Sequence, residues 1–190
     1  MTATDNGALV PGRATRPGTV PVWDPLVRIF HWSLVAAFAT AWLSAEESRS
    51  LHEAAGYVVA GLVAFRVLWG IVGPRHARFA DFVRSPAAVL RFLRDTAHLR
   101  APRHLGHNPA GGAMVVALLV ALAVITGSGY MMTTDAFWGV RWVREVHEIA
   151  VNLTIVLLVL HVLGVVLASF EHRENLVAAM FTGRKRAPEA

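Results

Sequence analysis

Four apolar stretches, residues 29–45, 54–73, 110–132 and 149–170, constrain this chain more than any other feature. Each is long enough to cross a hydrocarbon core as a helix, which takes about 17–25 residues. Lipid offers no hydrogen bonds, so a spanning segment must satisfy its own backbone groups, and a helix does. The runs lack the in–out alternation of a membrane β-barrel. Asp24-Pro25 is a helix start, an N-cap acid with proline in the first turn. The expected fold class is all-α, an integral membrane four-helix bundle with helices at about 25–46, 52–73, 109–132 and 147–171.

Composition agrees. Of 190 residues, 55% are hydrophobic and 16% charged, and the mean hydropathy is +0.47. Soluble domains carry about 25% charged residues. There is no cysteine, which excludes disulfides, thiolate-held iron–sulfur clusters and thioether-attached haem. Residues 1–23 read as a disordered tail rich in Gly, Pro, Thr and Ala, with no cleaved signal. Residues 24–175 form the membrane domain, and residues 176–190 read as a basic tail.

Charge sets an expected orientation. Of the 18 Lys and Arg residues, fourteen lie in the N-terminal segment, between the second and third spans, or in the C-terminal tail. Only Arg49, Arg141 and Arg144 lie in the two short loops, and Arg66 lies within a span. Positive residues stay cytoplasmic, so both termini are expected inside. The net charge of +5 is then a topology signal and implies no nucleic-acid partner. Residues 86–100 mix apolar residues with Arg91, Arg94 and Arg100 and read as a surface helix or an ordinary basic loop. The six Trp residues fall mostly near span ends, as an aromatic belt does.

The chemistry sits in the histidines. His147 and His161 are fourteen residues apart on one apolar stretch. At 100° and 1.5 Å per residue, that spacing keeps both rings on one helix face, about 21 Å apart along the axis. His52 starts the second span, level with His147, while His31 lies as deep as His161 on the antiparallel first span. The four therefore sort into an outer pair, His52 with His147, and an inner pair, His31 with His161. Each pair draws on two helices, as a haem held between two imidazoles requires. The bland alternative for any one of them is a polar residue bonded to a neighbouring helix. Structural zinc, which gathers four ligands at one point, fits two separated levels poorly.

Arg66 follows His52 by fourteen residues and so lies at the inner level. A cofactor carboxylate, such as a haem propionate, would satisfy it, and Arg28, one turn from His31, could serve the same end. Snorkelling to headgroups is the alternative for both. His76, His98, His104, His107 and His172 fall outside the spans and read as solvated loop histidines. Glu53 and Glu148 read equally as proton relays or as helix-start acids. No nucleotide loop, nucleophile elbow or triad is present, so no catalytic residue is assigned.

The ordered pieces Val22-Trp23-Asp24, Arg28-Ile29-Phe30-His31-Trp32, His52-Glu53-Ala54-Ala55-Gly56-Tyr57, Arg66-Val67-Leu68-Trp69-Gly70, Gly106-His107-Asn108-Pro109-Ala110-Gly111 and His147-Glu148 with His161 resemble the bacterial cytochrome b561 family. That family includes the cytochrome b subunits of nickel–iron hydrogenases. The likeness runs over about residues 22–175 and implies two haems b with axial ligands His31, His52, His147 and His161. It also implies electron transfer between a membrane quinone and a redox partner such as a c-type cytochrome, a hydrogenase or another dehydrogenase. A superoxide-oxidising cytochrome is a further branch. A haem-free four-helix transporter or membrane anchor is the reading from another class. The resemblance assigns no role to Gly106-His107-Asn108-Pro109.

Overall fold

A computed structural model describes residues 18–187. Four helices are long and apolar enough to span a membrane: α1 (Pro25–Ser44), α2 (Arg49–Val72), α5 (Pro109–Met132) and α6 (Arg141–Glu171). Between α2 and α5 lie the short α3 (Phe79–Phe82) and α4 (Pro86–Ala97). After α6 comes α7 (Leu176–Thr182). Strand β1 (Thr19–Pro21) pairs antiparallel with β2 (Arg184–Arg186), Val20 opposite Lys185.

The helix starts follow from local chemistry. The Asp24 carboxylate accepts from the Leu26 and Val27 amides, at 3.0 and 3.1 Å, with Pro25 next in line. Asn108 does the same for α5, its Oδ1 2.6 Å from the Gly111 amide, ahead of Pro109. Each cap satisfies an amide that the helix leaves open and contributes about 1 kcal/mol. The last spanning helix begins six residues before the expected 147, at Arg141. Its first two turns are polar and carry the i,i+4 pairs Arg141–Glu145 and Arg144–Glu148, so helix continues where apolar periodicity stops.

The chain runs up and down between two ends. One bears the short connections 45–48 and 133–140 (the turn end), and the other bears β1 and β2, the first and last described elements (the terminal end). At the terminal end Glu174 ties the pieces together. It takes Arg103 Nη2 at 2.9 Å, the Arg186 amide at 2.8 Å and Lys185 Nζ at 3.6 Å, while Lys185 Nζ donates to the His104 carbonyl at 2.9 Å. Parts of the segments read from sequence as tails are thus ordered. Residues 1–17 and 188–190 lie outside the described residues, but 19–21 and 184–186 are paired strands and 176–182 are helix. Backbone pairing between segments more than 160 residues apart leaves no local pattern in either.

Packing is uneven. The core of Phe30, Val59, Val63, Leu119 and Leu122 lies among α1, α2 and α5. The fourth long helix, α6, leans mainly on α5 and buries only Val143, Ala150 and Thr154. It leaves Ile149, Leu153, Val156, Val159, Leu163 and Val166 exposed. Apolar exposure on this scale suits lipid rather than water. Trp42, Trp138 and Trp142 are exposed around the turn end.

Candidate functional site

At the turn end, His52 sits in the first turn of α2 and His147 in the second turn of α6. Their ring centres are 6.2 Å apart, with the planes at 70°. His52 Nδ1 lies 2.8 Å from the carbonyl of Ala41. That carbonyl is among the last four of α1, which have no partner within the helix ladder. His147 Nδ1 lies 3.0 Å from the Ile125 carbonyl on α5 and 3.1 Å from Ser128 Oγ. A carbonyl only accepts, so Nδ1 of each ring carries the proton, and Nε2 of each keeps its lone pair. Imidazoles that bind metals are oriented in this way, by a bond from the other ring nitrogen.

The 6.2 Å separation is compatible with a metal held between the two rings. With metal–nitrogen bonds of about 2 Å and a nitrogen about 1.1 Å from its ring centre, two rings opposed across one metal have centres about 6 Å apart. Gly129 lets His147 lie against α5, since a Cβ there would come within 3.3 Å of the His147 ring. Gly56, one turn beyond His52, has nothing within 4 Å of a Cβ position, so there is room beside the pair. Among the described residues, no three His, Asp or Glu side chains converge on a metal ion. A donor set of two imidazoles suits a metal whose other ligands come from a macrocycle.

The terminal-end pair is built differently. His31 on α1 and His161 on α6 are half-buried and within electrostatic reach of each other. His31 Nδ1 is buried without a hydrogen-bond partner, and the ring meets Trp32 edge-on at 5.0 Å. Arg66 is 3% exposed, and its Nη1 is likewise unpartnered. Its guanidinium lies 5.0 and 5.8 Å from the ring centres of Phe79 and Phe82, the ends of α3. Those rings reach it because Gly70 and Gly112 leave space where any Cβ would strike Phe79 or Phe82. A guanidinium buried against aromatic faces keeps its charge and calls for an anion. Arg28 is otherwise engaged. Its Nη1 donates to the Phe181 carbonyl, while Nε is buried and unpartnered. Gly183, at φ +78°, closes α7 over it, and a Cβ there would meet the Trp23 carbonyl.

The structure corrects the expectation that His107 is a solvated loop histidine. It sits just before the Asn108 cap of α5, 4.7 Å from Trp23 and 4.5 Å from Phe82, with Nδ1 buried and unpartnered. Burial, and then the nearby Arg66 charge, push its pKa down to about 3, so the ring is neutral at any physiological pH. The Asn108-Pro109 helix start was the available signal, because it sets the preceding residue directly at the end of a span. Reasoning from sequence also missed the Ala41 and Ile125 carbonyls, which carry no residue identity, and the Phe79–Phe82 plug.

Comparisons with known proteins agree with one another. The family model for prokaryotic cytochrome b561 matches residues 22–183. The chain is similar to a probable Ni/Fe-hydrogenase B-type cytochrome subunit of Bradyrhizobium diazoefficiens, at 24% identity over 92% of this chain and 89% of that one. A protein of the same description from Rhizobium leguminosarum bv. viciae is 22% identical over 91% of each chain. No solved structure gives a significant match.

Proposed function

The chain belongs to the prokaryotic cytochrome b561 family, as a multi-pass membrane b-type cytochrome of electron transfer, and from that premise we propose that it carries two haems b at two depths. One haem lies between His52 and His147, and the other between His31 and His161. The observation that carries this reading is the turn-end pair: two rings 6.2 Å apart, each with Nδ1 held by a backbone carbonyl of a neighbouring helix. Haem supplies the one-electron carrier, and the protein supplies ligation, orientation and charge.

Helix α6 would contribute one ligand to each level, which would set the two one-electron carriers at two depths of the membrane. The protein's own part at the turn end is to fix both ring tautomers without reorganisation. At the terminal end it is to neutralise haem carboxylates with Arg66. The proposed donor or acceptor in the membrane is a quinone beside the terminal-end level, where Arg28, whose Nε has no partner among the described residues, offers a donor to its head group. The partner we favour is a hydrogenase or another dehydrogenase, because the similar rhizobial proteins are described as hydrogenase subunits. The Lys and Arg distribution supports an inner-membrane protein with both termini cytoplasmic.

Purified protein should give b-type bands in reduced-minus-oxidised spectra and two haems per chain. A single haem per chain would end the two-level reading, and colourless folded protein would end any haem role for these histidines.

A further inference from the structure

His107 has no part in the ligand sets, yet it is built into the terminal-end site. It and Arg66 flank the same aromatic side chain, Phe82, at 4.5 Å between rings and 5.8 Å from guanidinium carbon to ring centre. His107 Nδ1 and Arg66 Nη1 are both buried and both lack a partner. Leaving such a group unsatisfied costs about 1–3 kcal/mol, and more for a charged one. The carboxylate in electrostatic reach of Arg66 belongs to Asp24. Its Oδ1 caps α1 and its Oδ2 lies 3.5 Å from Trp69 Nε1, and it leaves Arg66 Nη1 without a hydrogen bond. A neutral imidazole offers one N–H donor, and a guanidinium offers several with a positive charge. One guest satisfies both: an acceptor bearing negative charge, with the two oxygens of a carboxylate.

We propose that His107 and Arg66 are the two arms of a carboxylate clamp whose occupant is a propionate of the terminal-end haem. The clamp rests on the reading that a haem lies between His31 and His161. Helix α3 completes it, since Phe79 and Phe82 shield the clamp from water and so strengthen the charge interaction. His107 is a positioning residue: its N–H withdraws negative charge from the propionate, which favours the reduced iron.

The test is a redox titration, with haem per chain measured in the same samples, on wild-type protein and on His107→Leu and His107→Gln. Each is also examined with His147→Ala, a background in which only the terminal-end haem remains. His107→Leu should lower the terminal-end midpoint by about tenfold in the one-electron equilibrium, about 59 mV. The turn-end midpoint should not move, and His107→Gln, which keeps an N–H donor, should stay near wild type. His107→Ala gives the same readout should the leucine variant not assemble. Two haems whose potentials ignore His107 would overturn the clamp alone. Equal shifts in the Leu and Gln variants would also overturn it, by showing that only volume matters. A wild-type protein with no haem at the terminal-end level would overturn both the clamp and the reading beneath it.

Discussion

The two histidine levels differ in what completes them. At the turn end the protein satisfies itself. His52 and His147 are each oriented by a carbonyl, from α1 and α5 respectively, and their rings already stand 6.2 Å apart. At the terminal end six side chains, those of Arg28, His31, Trp32, Arg66, His107 and Arg186, each keep a buried atom without a partner among the described residues. On the proposed reading the first level is a preset ligand geometry, while the second is a set of charges and donors that a guest bringing acceptors would satisfy. A haem at the turn end should therefore depend on its two imidazoles, and a haem at the terminal end on its imidazoles and its propionate contacts together.

Removing a ligand should separate the levels most sharply. His147→Ala should halve the haem content and leave the terminal-end haem with its potential intact, and His161→Ala should do the reverse. Pyridine haemochrome assay against chain concentration reads both. Equal loss of all haem from either variant would mean that the levels are not separate sites.

Arg66→Gln comes next. It removes the charge but keeps donors, so it should lower the terminal-end potential by at least tenfold in the reduction equilibrium, about 59 mV, and spare the turn end. Potentiometric titration followed at the haem absorption bands would show it. A shift at the turn end instead would place Arg66 at the wrong level.

Ser128→Ala should be mild. His147 Nδ1 keeps the Ile125 carbonyl when the hydroxyl is lost, so the cost should be about 0.5–1.5 kcal/mol in thermal unfolding with both haems retained. Loss of the turn-end haem would show that the serine, not the carbonyl, orients the ring.

The smallest effect concerns the clasp at the terminal end. Burial alone would raise the Glu174 carboxyl, but hydrogen bonds from Arg103 and the Arg186 amide, with the charges of Lys185 and Arg103, hold it below its ordinary value. A depressed folded value means the stabilisation is complete above the unfolded pKa of about 4.3 and fades as pH falls through the folded one. Protease trimming near residues 184–186 should therefore rise on acidification below about pH 4. In Glu174→Gln it should be raised already at neutral pH. A flat profile would show that the clasp does not depend on this carboxylate.

Much of the fold was legible because membrane spans write themselves into long apolar runs, and Asp24-Pro25 and Asn108-Pro109 mark helix starts by simple cap chemistry. The four histidines were legible as depths, since a helix converts residue count into distance. Their surroundings were not. The Ala41 and Ile125 carbonyls are backbone, and any residue presents one. The Phe79–Phe82 plug depends on space left by Gly70 and Gly112 on two other helices. The β1–β2 pair joins three residues to three across nearly the whole chain. His107 looked solvated because local polarity cannot report that its ring packs on Trp23 and Phe82.

The pairing itself is the central claim, and haem content in double variants tests it most directly. The His52→Ala/His147→Ala protein should keep one haem per chain, because both changes fall on one level. The His52→Ala/His31→Ala protein should keep none, because the changes fall on different levels. Haem lost completely from the first and half-retained by the second would contradict the account.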